Sequence, residues 1–132
     1  MKSYVFIAFL ILFSIYHGQV NVLEINQINP DIEFENIHVK KISSNTSSST
    51  FAIWIKKKVK LHKHINHTEN ILVLSGHGQF QLNDSIYSVS LGDLIIVPKN
   101  TWHGVIIESK EPMKVISIQS PEFFGNDRVY KN

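Results

Sequence analysis

The chain has 132 residues with a formal net charge of +2, and this length accommodates one domain around a single core but no second domain. Twelve of the thirteen basic residues are Lys and the charge is nearly balanced, so the composition gives no reason to expect a nucleic-acid partner. Cysteine is absent, which excludes disulfides and thiolate ligands, so any metal ion must be held by His, Asp or Glu.

The first eighteen residues are typical of a signal peptide. Lys2 provides a positive start, and the thirteen residues of Tyr4–Tyr16 are apolar at every position but one. This stretch suits the hydrophobic region of a signal peptide and is shorter than the ~20 residues of a membrane-spanning helix. We therefore predict a signal peptide over residues 1–18 and an exported protein, periplasmic or secreted. Because bulky Tyr16 lies two positions before Gly18, an uncleaved membrane anchor is the alternative.

Beyond the signal region, the pattern divides the chain into a connecting arm (19–30), one folded domain (31–124) and a C-terminal tail (125–132). Alternating apolar residues from Ile32 to Val39 predict a first strand, and the polar run Ser43–Thr50 predicts a loop. Seven further short segments rich in β-branched residues are each bounded by turn residues: 51–55, 71–74, 79–82, 86–89, 94–97, 102–107 and 115–118. Such spacing predicts an all-β sandwich or barrel with little helix.

Three of the seven histidines lie close together in the sequence, just before a glutamate. On a strand, side chains two residues apart share a face, so His62 and His64 project together, and Glu69 follows after a short turn. Two imidazoles and a carboxylate can bind one divalent ion. His67 breaks this alternation and is expected in the turn. Taken alone, the cluster also fits a polar turn with surface histidines.

The residues around this cluster form two motifs that resemble those of the cupin superfamily. The first motif is His-x-His, three or four residues, Glu, six residues, Gly, and it is met in full from His62 to Gly76. The second is Gly, five residues, Pro-x-Gly, two residues, His, three residues, Asn. It is met at Gly92, Pro98 and His103, while Asn100 replaces the second Gly and Ile107 replaces the terminal Asn.

This resemblance implies a single-domain double-stranded β-helix jelly roll in which four side chains surround one ion. Carried over position by position, they are His62, His64, Glu69 and His103. Three neutral imidazoles and one carboxylate leave open positions at a six-coordinate ion such as Fe, Mn or Ni, whereas Zn would be more nearly closed. The resemblance also implies pairing into a homodimer.

The function expected from this site is that of a metal-dependent oxidoreductase or isomerase acting on a small oxygen-bearing molecule, such as a sugar or an organic acid. The alternatives are a non-catalytic protein that binds a small molecule through the metal, or an empty barrel that serves as a dimer module. Beyond the ligands, the sequence nominates only His38, Tyr87 and Glu108 as acids or bases. Arg128, the single Arg, lies outside the motifs, so no guanidinium clamp is expected.

Two other features have structural explanations. The lysine-rich run Lys56–Lys60 precedes the histidines and is expected to be a solvated loop rather than a surface that attracts anions. Trp102 adjoins His103 and should point away from it, into the core.

Overall fold

A computed structural model describes residues 22–131, and the predicted signal peptide lies outside these described residues. No helix in the described range is long and apolar enough to cross a membrane. Regular structure within this range consists of one short 3-10 helix and ten strands.

The 3-10 helix is Ile25–Gln27. The strands, numbered in chain order, are β1 Ile37–Asn45, β2 Ser48–Ile55, β3 Lys58–His64, β4 Thr68–Ser75, β5 His77–Leu82, β6 Ser85–Ser90, β7 Leu94–Val97, β8 His103–Ile107, β9 Met113–Ser120 and β10 Arg128–Tyr130.

These strands form two five-stranded antiparallel sheets. The first sheet has the order β1-β2-β9-β4-β7, and the second has the order β10-β3-β8-β5-β6. Because β2 pairs with β9 and β3 pairs with β8, the chain passes repeatedly between the two sheets, as in a jelly roll. The predicted fold class, an all-β double-stranded β-helix, is confirmed.

The two sheets enclose one apolar core. Alternate residues of each strand point inward, and they form a buried cluster of Ile55, Ile71, Val73, Phe80, Val89, Val97, Val105, Met113 and Val115. This cluster fills one part of the interior, and the histidines of the motifs lie beside it.

A second, smaller cluster lies on the outer face of the first sheet. Ala52, Trp54 and Ile116 are buried there because Ile25, Ile28 and Phe34 pack over them. Lys114 Nζ donates hydrogen bonds of 2.6 Å to the carbonyl oxygens of both Ile25 and Ile28. Ile25 and Ile28 of the predicted connecting arm are therefore packed against the sheet.

Several predicted boundaries differ from the observed ones. Strand β1 begins at Ile37, so Ile32 and Phe34 precede the first strand. The run Ser43–Thr50 is mostly strand, because β1 and β2 form a hairpin in which Asn45 pairs with Ser48. The lysine-rich run is not a loop throughout, since Lys58 already begins β3. Part of the predicted tail forms β10, which pairs with β3.

A bulge in β3 sets the direction of the histidines. The register with β8 shifts between Val59 and His62, so Val59 and His62 both face the interior although they are three residues apart. The bulge packs against Gly104, where an added Cβ would lie 2.8 Å from the carbonyl oxygen of Val59. Only glycine fits at this contact without displacing the β3 backbone.

Trp102 does not belong to the core, which corrects its predicted burial. The ring is half-buried, and Lys63 Nζ lies 4.8 Å and Lys131 Nζ 5.9 Å from its centroid. These contacts agree with the prediction that Trp102 points away from His103. The ring lies on the outer face of the second sheet, beside the two lysines, and not in the core.

Candidate metal centre

The four residues predicted as ligands come from both sheets. His62 and His64 end β3, His103 begins β8 opposite His62, and Glu69 lies on β4 in the other sheet. All four are buried, with exposed fractions of 2% to 5%. One potential ligand atom from each residue lies within 4.8 Å of the others. The fold thus gathers the predicted quartet at one point inside the barrel.

Each of the three histidines is oriented by a backbone carbonyl. The Nδ1 atoms of His62, His64 and His103 contact the carbonyl oxygens of Lys60 at 2.9 Å, Asp127 at 3.1 Å and Thr101 at 2.9 Å. A carbonyl oxygen only accepts, so Nδ1 must carry the proton in each ring. In the neutral rings the lone pair is therefore on Nε2, the atom directed at the centre. In metal sites, a histidine ligand typically donates a hydrogen bond from the ring nitrogen that does not bind the metal, as Nδ1 does here.

The inward atoms of this cluster are mutually repulsive without a cation. Glu69 Oε2 lies 3.1 Å from His103 Nε2 and 3.7 Å from His64 Nε2. Both nitrogens of the neutral rings are acceptors, like the carboxylate oxygen they face. His64 Nε2 is buried and has no hydrogen-bond partner within residues 22–131. Such buried acceptors are costly unless a proton or a metal ion lies between them.

The other oxygen of Glu69 is held by β9. Ser117 Oγ donates a short hydrogen bond to Oε1, and Gln119 Nε2 donates a second one at 3.3 Å. Burial raises the pKa of Glu69, but hydrogen bonds to the carboxylate lower it well below its usual range: from His103 and His64 when a proton rather than a metal ion lies on their Nε2 atoms, and from Ser117. The carboxylate is therefore charged and ready to bind a cation.

His62 is held in its neutral form. Burial disfavours the imidazolium, and the neighbouring His103 adds to this effect, so the pKa of His62 is lowered from 6.5 to about 4. At neutral pH the Nε2 lone pair of His62 is available without loss of a proton.

The donor set fits a divalent transition metal. Ligand atoms about 2.1 Å from a shared ion lie roughly 3 to 4.2 Å apart, so the observed maximum of 4.8 Å requires only small side-chain adjustments. Three imidazole nitrogens and one carboxylate oxygen suit Fe, Mn, Ni or Zn and do not distinguish them.

The cluster adjoins a cavity of about 90 Å³ between the sheets. This volume admits a small molecule beside an ion. Its walls are mainly apolar, and the polar side chains on them are His62, Glu69, His103, Ser117, Gln119 and Arg128. A ligand here is enclosed by hydrocarbon except at the metal cluster and at Arg128.

The three nominated acids and bases lie away from this cavity. His38 Nε2 pairs with Asp31 at 2.9 Å, and its ring lies beside Trp54 on the outer face of the first sheet. Glu108 accepts hydrogen bonds from Gln79 Nε2, and Tyr87 is exposed. None of them lines this cavity, and their role as acids or bases stays a prediction.

His67 lies in the turn after β3, as predicted, but it is buried and has a structural partner. Its Nδ1 lies 2.5 Å from Asp127 Oδ2, and Glu122 O accepts from Nε2 at 3.0 Å. Asp127 also accepts from the backbone N–H groups of Ile65 and Asn66. These contacts attach the C-terminal segment to the β3–β4 turn.

Sequence reasoning missed four residues that support or line the site. Ser117 and Gln119 orient Glu69, Asp127 supplies the carbonyl that holds His64, and Arg128 lines the cavity. The alternation of β9 could have indicated that Ser117 and Gln119 face inward. The placement of Arg128 corrects the expectation that no guanidinium would be available.

Comparisons with known proteins agree with this fold. A cupin domain family model matches residues 50–119, which is more than half of the 132 residues. Mannose-1-phosphate guanylyltransferase of Salmonella typhimurium is 29% identical over 75 residues, which are 57% of this chain and 16% of that protein. An uncharacterised protein of Methanocaldococcus jannaschii is 29% identical over 73 residues, 55% of this chain and 58% of that protein. The chain spans less than two thirds of each of these relatives.

Several solved structures share the architecture. A double-stranded β-helix protein from Klebsiella pneumoniae has a TM-score of 0.71 at 15% identity, covering 86% of this chain and 99% of that one. Pac13 of Streptomyces, in a complex with uridine, has a TM-score of 0.66 at 19% identity, covering 76% and 82%. KdgF from Halomonas has a TM-score of 0.66 at 20% identity, covering 77% and 93%. With the family match and the two-sheet fold in agreement, this chain belongs to the cupin domain family.

Proposed function

We propose that this cupin binds one divalent transition-metal ion through Nε2 of His62, His64 and His103 and through Glu69 Oε2. The observation that carries the proposal is the convergence of one potential ligand atom from each of four buried residues within 4.8 Å, with His64 Nε2 lacking a hydrogen-bond partner in the described part of the chain. A cation at this point relieves the repulsion between the acceptors and satisfies the unpartnered nitrogen.

We infer further that the protein is a metal-dependent enzyme, of the oxidoreductase or isomerase type, for a small oxygen-bearing molecule. A bound ion would supply Lewis acidity to a substrate oxygen at an open coordination position. The apolar walls exclude water and strengthen electrostatic interactions inside the cavity. Ser117 and Gln119 hold the charge of Glu69 toward the centre. Among solved cupins of similar fold, Pac13 is described as a nucleoside dehydratase and binds uridine.

The competing function is non-catalytic, metal-dependent binding of a small molecule. It is favoured by one observation: apart from the candidate ligands, no carboxylate, histidine or tyrosine of residues 22–131 lines the cavity to transfer protons. A sugar, which the sequence analysis named as a possible ligand, would find few hydrogen-bond partners on these apolar walls. The cavity suits a smaller molecule with one polar end.

Export and dimerisation are also part of the proposal. The apolar segment Tyr4–Tyr16 supports export to the periplasm or the medium, with membrane anchoring as the alternative. Exposed apolar residues on the outer face of the first sheet support a homodimer: Leu72, Leu94, Ile96 and Ile118.

Metal analysis of protein expressed from the full chain tests the central proposal. After exposure to excess Fe, Mn, Ni or Zn and removal of free ion, we expect about one ion per chain in the wild type. His62→Ala and His103→Ala should retain far less, whereas His77→Ala, which alters an exposed histidine outside the cluster, should match the wild type. Equal metal content in the wild type and the two cluster variants would refute the site.

Turnover is tested separately on the loaded protein. We expect thermal stabilisation by small hydroxy or oxo acids, followed by consumption or isomerisation of those that bind. Stabilisation without any chemical change, over long incubation with and without dioxygen, would assign the protein to the binding class.

A further inference from the structure

Strand β10 carries Arg128 toward the metal cluster. In the antiparallel pairing with β3, Arg128 lies opposite His64 and Tyr130 lies opposite His62. Paired residues of neighbouring strands project from the same face of a sheet. Arg128 therefore shares the inward face of the two histidines, and its side chain lines the cavity.

The Arg128 guanidinium is not neutralised by the protein. Within residues 22–131, no carboxylate oxygen lies within 4.0 Å of it, and it donates no hydrogen bond. Its Cζ lies 5.8 Å from the centroid of the Phe123 ring. The planar donors of this side chain, which match a carboxylate in two-point contact, remain available to a ligand.

The backbone before Arg128 is firmly held. The Asp127 carboxylate accepts hydrogen bonds from Asn66 N at 2.8 Å and Ile65 N at 3.2 Å, besides its contact with His67. The Asp127 carbonyl oxygen holds His64 Nδ1. One residue thus positions both a candidate metal ligand and the start of the strand that carries the guanidinium, so the backbone of Arg128 is fixed relative to His64.

Charge balance indicates what the cavity should accept. A divalent ion, the Glu69 carboxylate and the Arg128 guanidinium together carry a net charge of about +2, beside mainly apolar walls. Arg128 is exposed to solvent, so its charge is hydrated, and a ligand with a negative group would pair with it while reducing the positive charge at the buried cluster. The small cavity restricts this ligand to a short carbon chain.

We infer that Arg128 determines specificity for a small 2-hydroxy or 2-oxo carboxylic acid, whose carboxylate is held by the guanidinium while a neighbouring oxygen reaches the metal centre. This inference rests on the proposed metal site and adds the chemical class of its ligand. Arg128 acts as a binding residue and takes no part in bond making.

The test uses full-chain protein loaded with Co(II), whose visible absorption reports on its ligands, and the matched probes lactate and lactamide. Cobalt content is measured first. Failure of the wild type to bind cobalt or any other tested metal would refute the proposed metal site, whereas the comparison below addresses Arg128 alone.

In the wild type, lactate should perturb the cobalt spectrum at lower concentration than lactamide. Arg128→Gln should weaken lactate binding by at least about tenfold and leave lactamide unchanged, and Arg128→Lys should give an intermediate value. Lys131→Gln is the charge-matched control, because that side chain lies over Trp102 outside the barrel.

Three results would overturn the inference. They are equal binding of lactate and lactamide in the wild type, parallel weakening of both probes in Arg128→Gln, and an effect of Lys131→Gln as large as that of Arg128→Gln. If Arg128→Gln does not fold, lactate and lactamide binding are compared in Arg128→Lys instead. An unchanged preference for lactate over lactamide in that variant would contradict two-point binding by the guanidinium.

Discussion

At the scale of single residues, the centre depends on neighbours that fix the direction of each candidate ligand. The histidines are oriented by carbonyl oxygens of the backbone, which no side-chain substitution removes directly. Glu69 is different, because its orientation depends on two side chains of β9. The carboxylate is therefore the ligand whose support can be removed most selectively.

We predict that Ser117→Ala weakens metal binding about 10- to 100-fold, because Glu69 Oε1 loses its shortest hydrogen bond and the carboxylate can rotate. Competition with a fluorescent chelator measures the affinity. Ser85→Ala, an exposed serine at the start of β6, is the control and should bind as the wild type. An unchanged affinity in Ser117→Ala would show that Glu69 needs no such support.

The lowered pKa of His62 predicts acid sensitivity of the metal-free protein. The unfolded chain takes up a proton at His62 near pH 6.5, but the folded chain does so only near pH 4. Protonation of His62 therefore does not affect stability above pH 6.5, and it lowers the free energy of unfolding as pH falls toward 4, by on the order of 1–3 kcal/mol.

Urea unfolding of chelator-treated protein at several pH values measures this loss. His62→Gln cannot be protonated there, so its free energy of unfolding should fall less steeply over the same range. Parallel pH profiles for the variant and the wild type would contradict the prediction.

At the scale of elements, β3 is the strand on which the site depends. Its bulge rotates the strand so that Val59 belongs to the cavity wall and His62 and His64 reach the centre. A one-residue change of register would turn both histidines outward. Gly104 of β8 leaves the space that the bulge occupies.

Gly104→Ala should therefore destabilise the fold and impair the site together. The added Cβ would lie 2.8 Å from Val59 O and 3.2 Å from Leu61 N, and relief requires movement of β3. We expect a loss of about 1–3 kcal/mol and a lower metal affinity. Thermal unfolding and chelator competition measure the two effects.

Gly92→Asn is a suitable control for that experiment. Gly92 has a φ of 93° and nothing within 4 Å of an added Cβ, and Asn tolerates positive φ better than most residues. It should alter stability slightly and metal affinity not at all. Retention of full metal affinity by Gly104→Ala would mean that the bulge is not needed to orient His62.

At the scale of the whole molecule, two parts of the outer face of the first sheet have different surroundings. The part near β2 is covered by Ile25, Ile28 and Phe34, and Lys114 donates hydrogen bonds to the carbonyl oxygens of Ile25 and Ile28. The part near β7 leaves Leu94 and Ile96 more than half exposed. An apolar surface of this kind is typical of an association site.

We predict that Ile96→Lys converts a dimer into a monomer, because a charge would then lie within the proposed contact between two copies. Light scattering coupled to gel filtration measures the mass. Ile86→Lys, an equally exposed residue on β6 of the second sheet, should leave the mass unchanged. A monomeric wild type would contradict the proposed dimer.

The sequence by itself determined the fold class and the four residues of the cluster. The fold class depends on a local pattern, the short turn-bounded segments with alternating side chains, whereas the four residues follow from two motifs that resemble those of the cupin superfamily. Chemistry alone does not reveal which face a side chain occupies, so the sequence could not show that Tyr87 and Glu108 lie away from the cavity.

Only the tertiary structure decided what surrounds the cluster. Ser117 lies 48 residues after Glu69 in the sequence, and Asp127 lies 63 residues after His64, so no local pattern connects these pairs. Strand β10 is three residues long and gains its order from pairing with β3 and from Asp127. Arg128 reaches the cavity through that pairing, and its position could not be inferred from a segment without periodicity of its own.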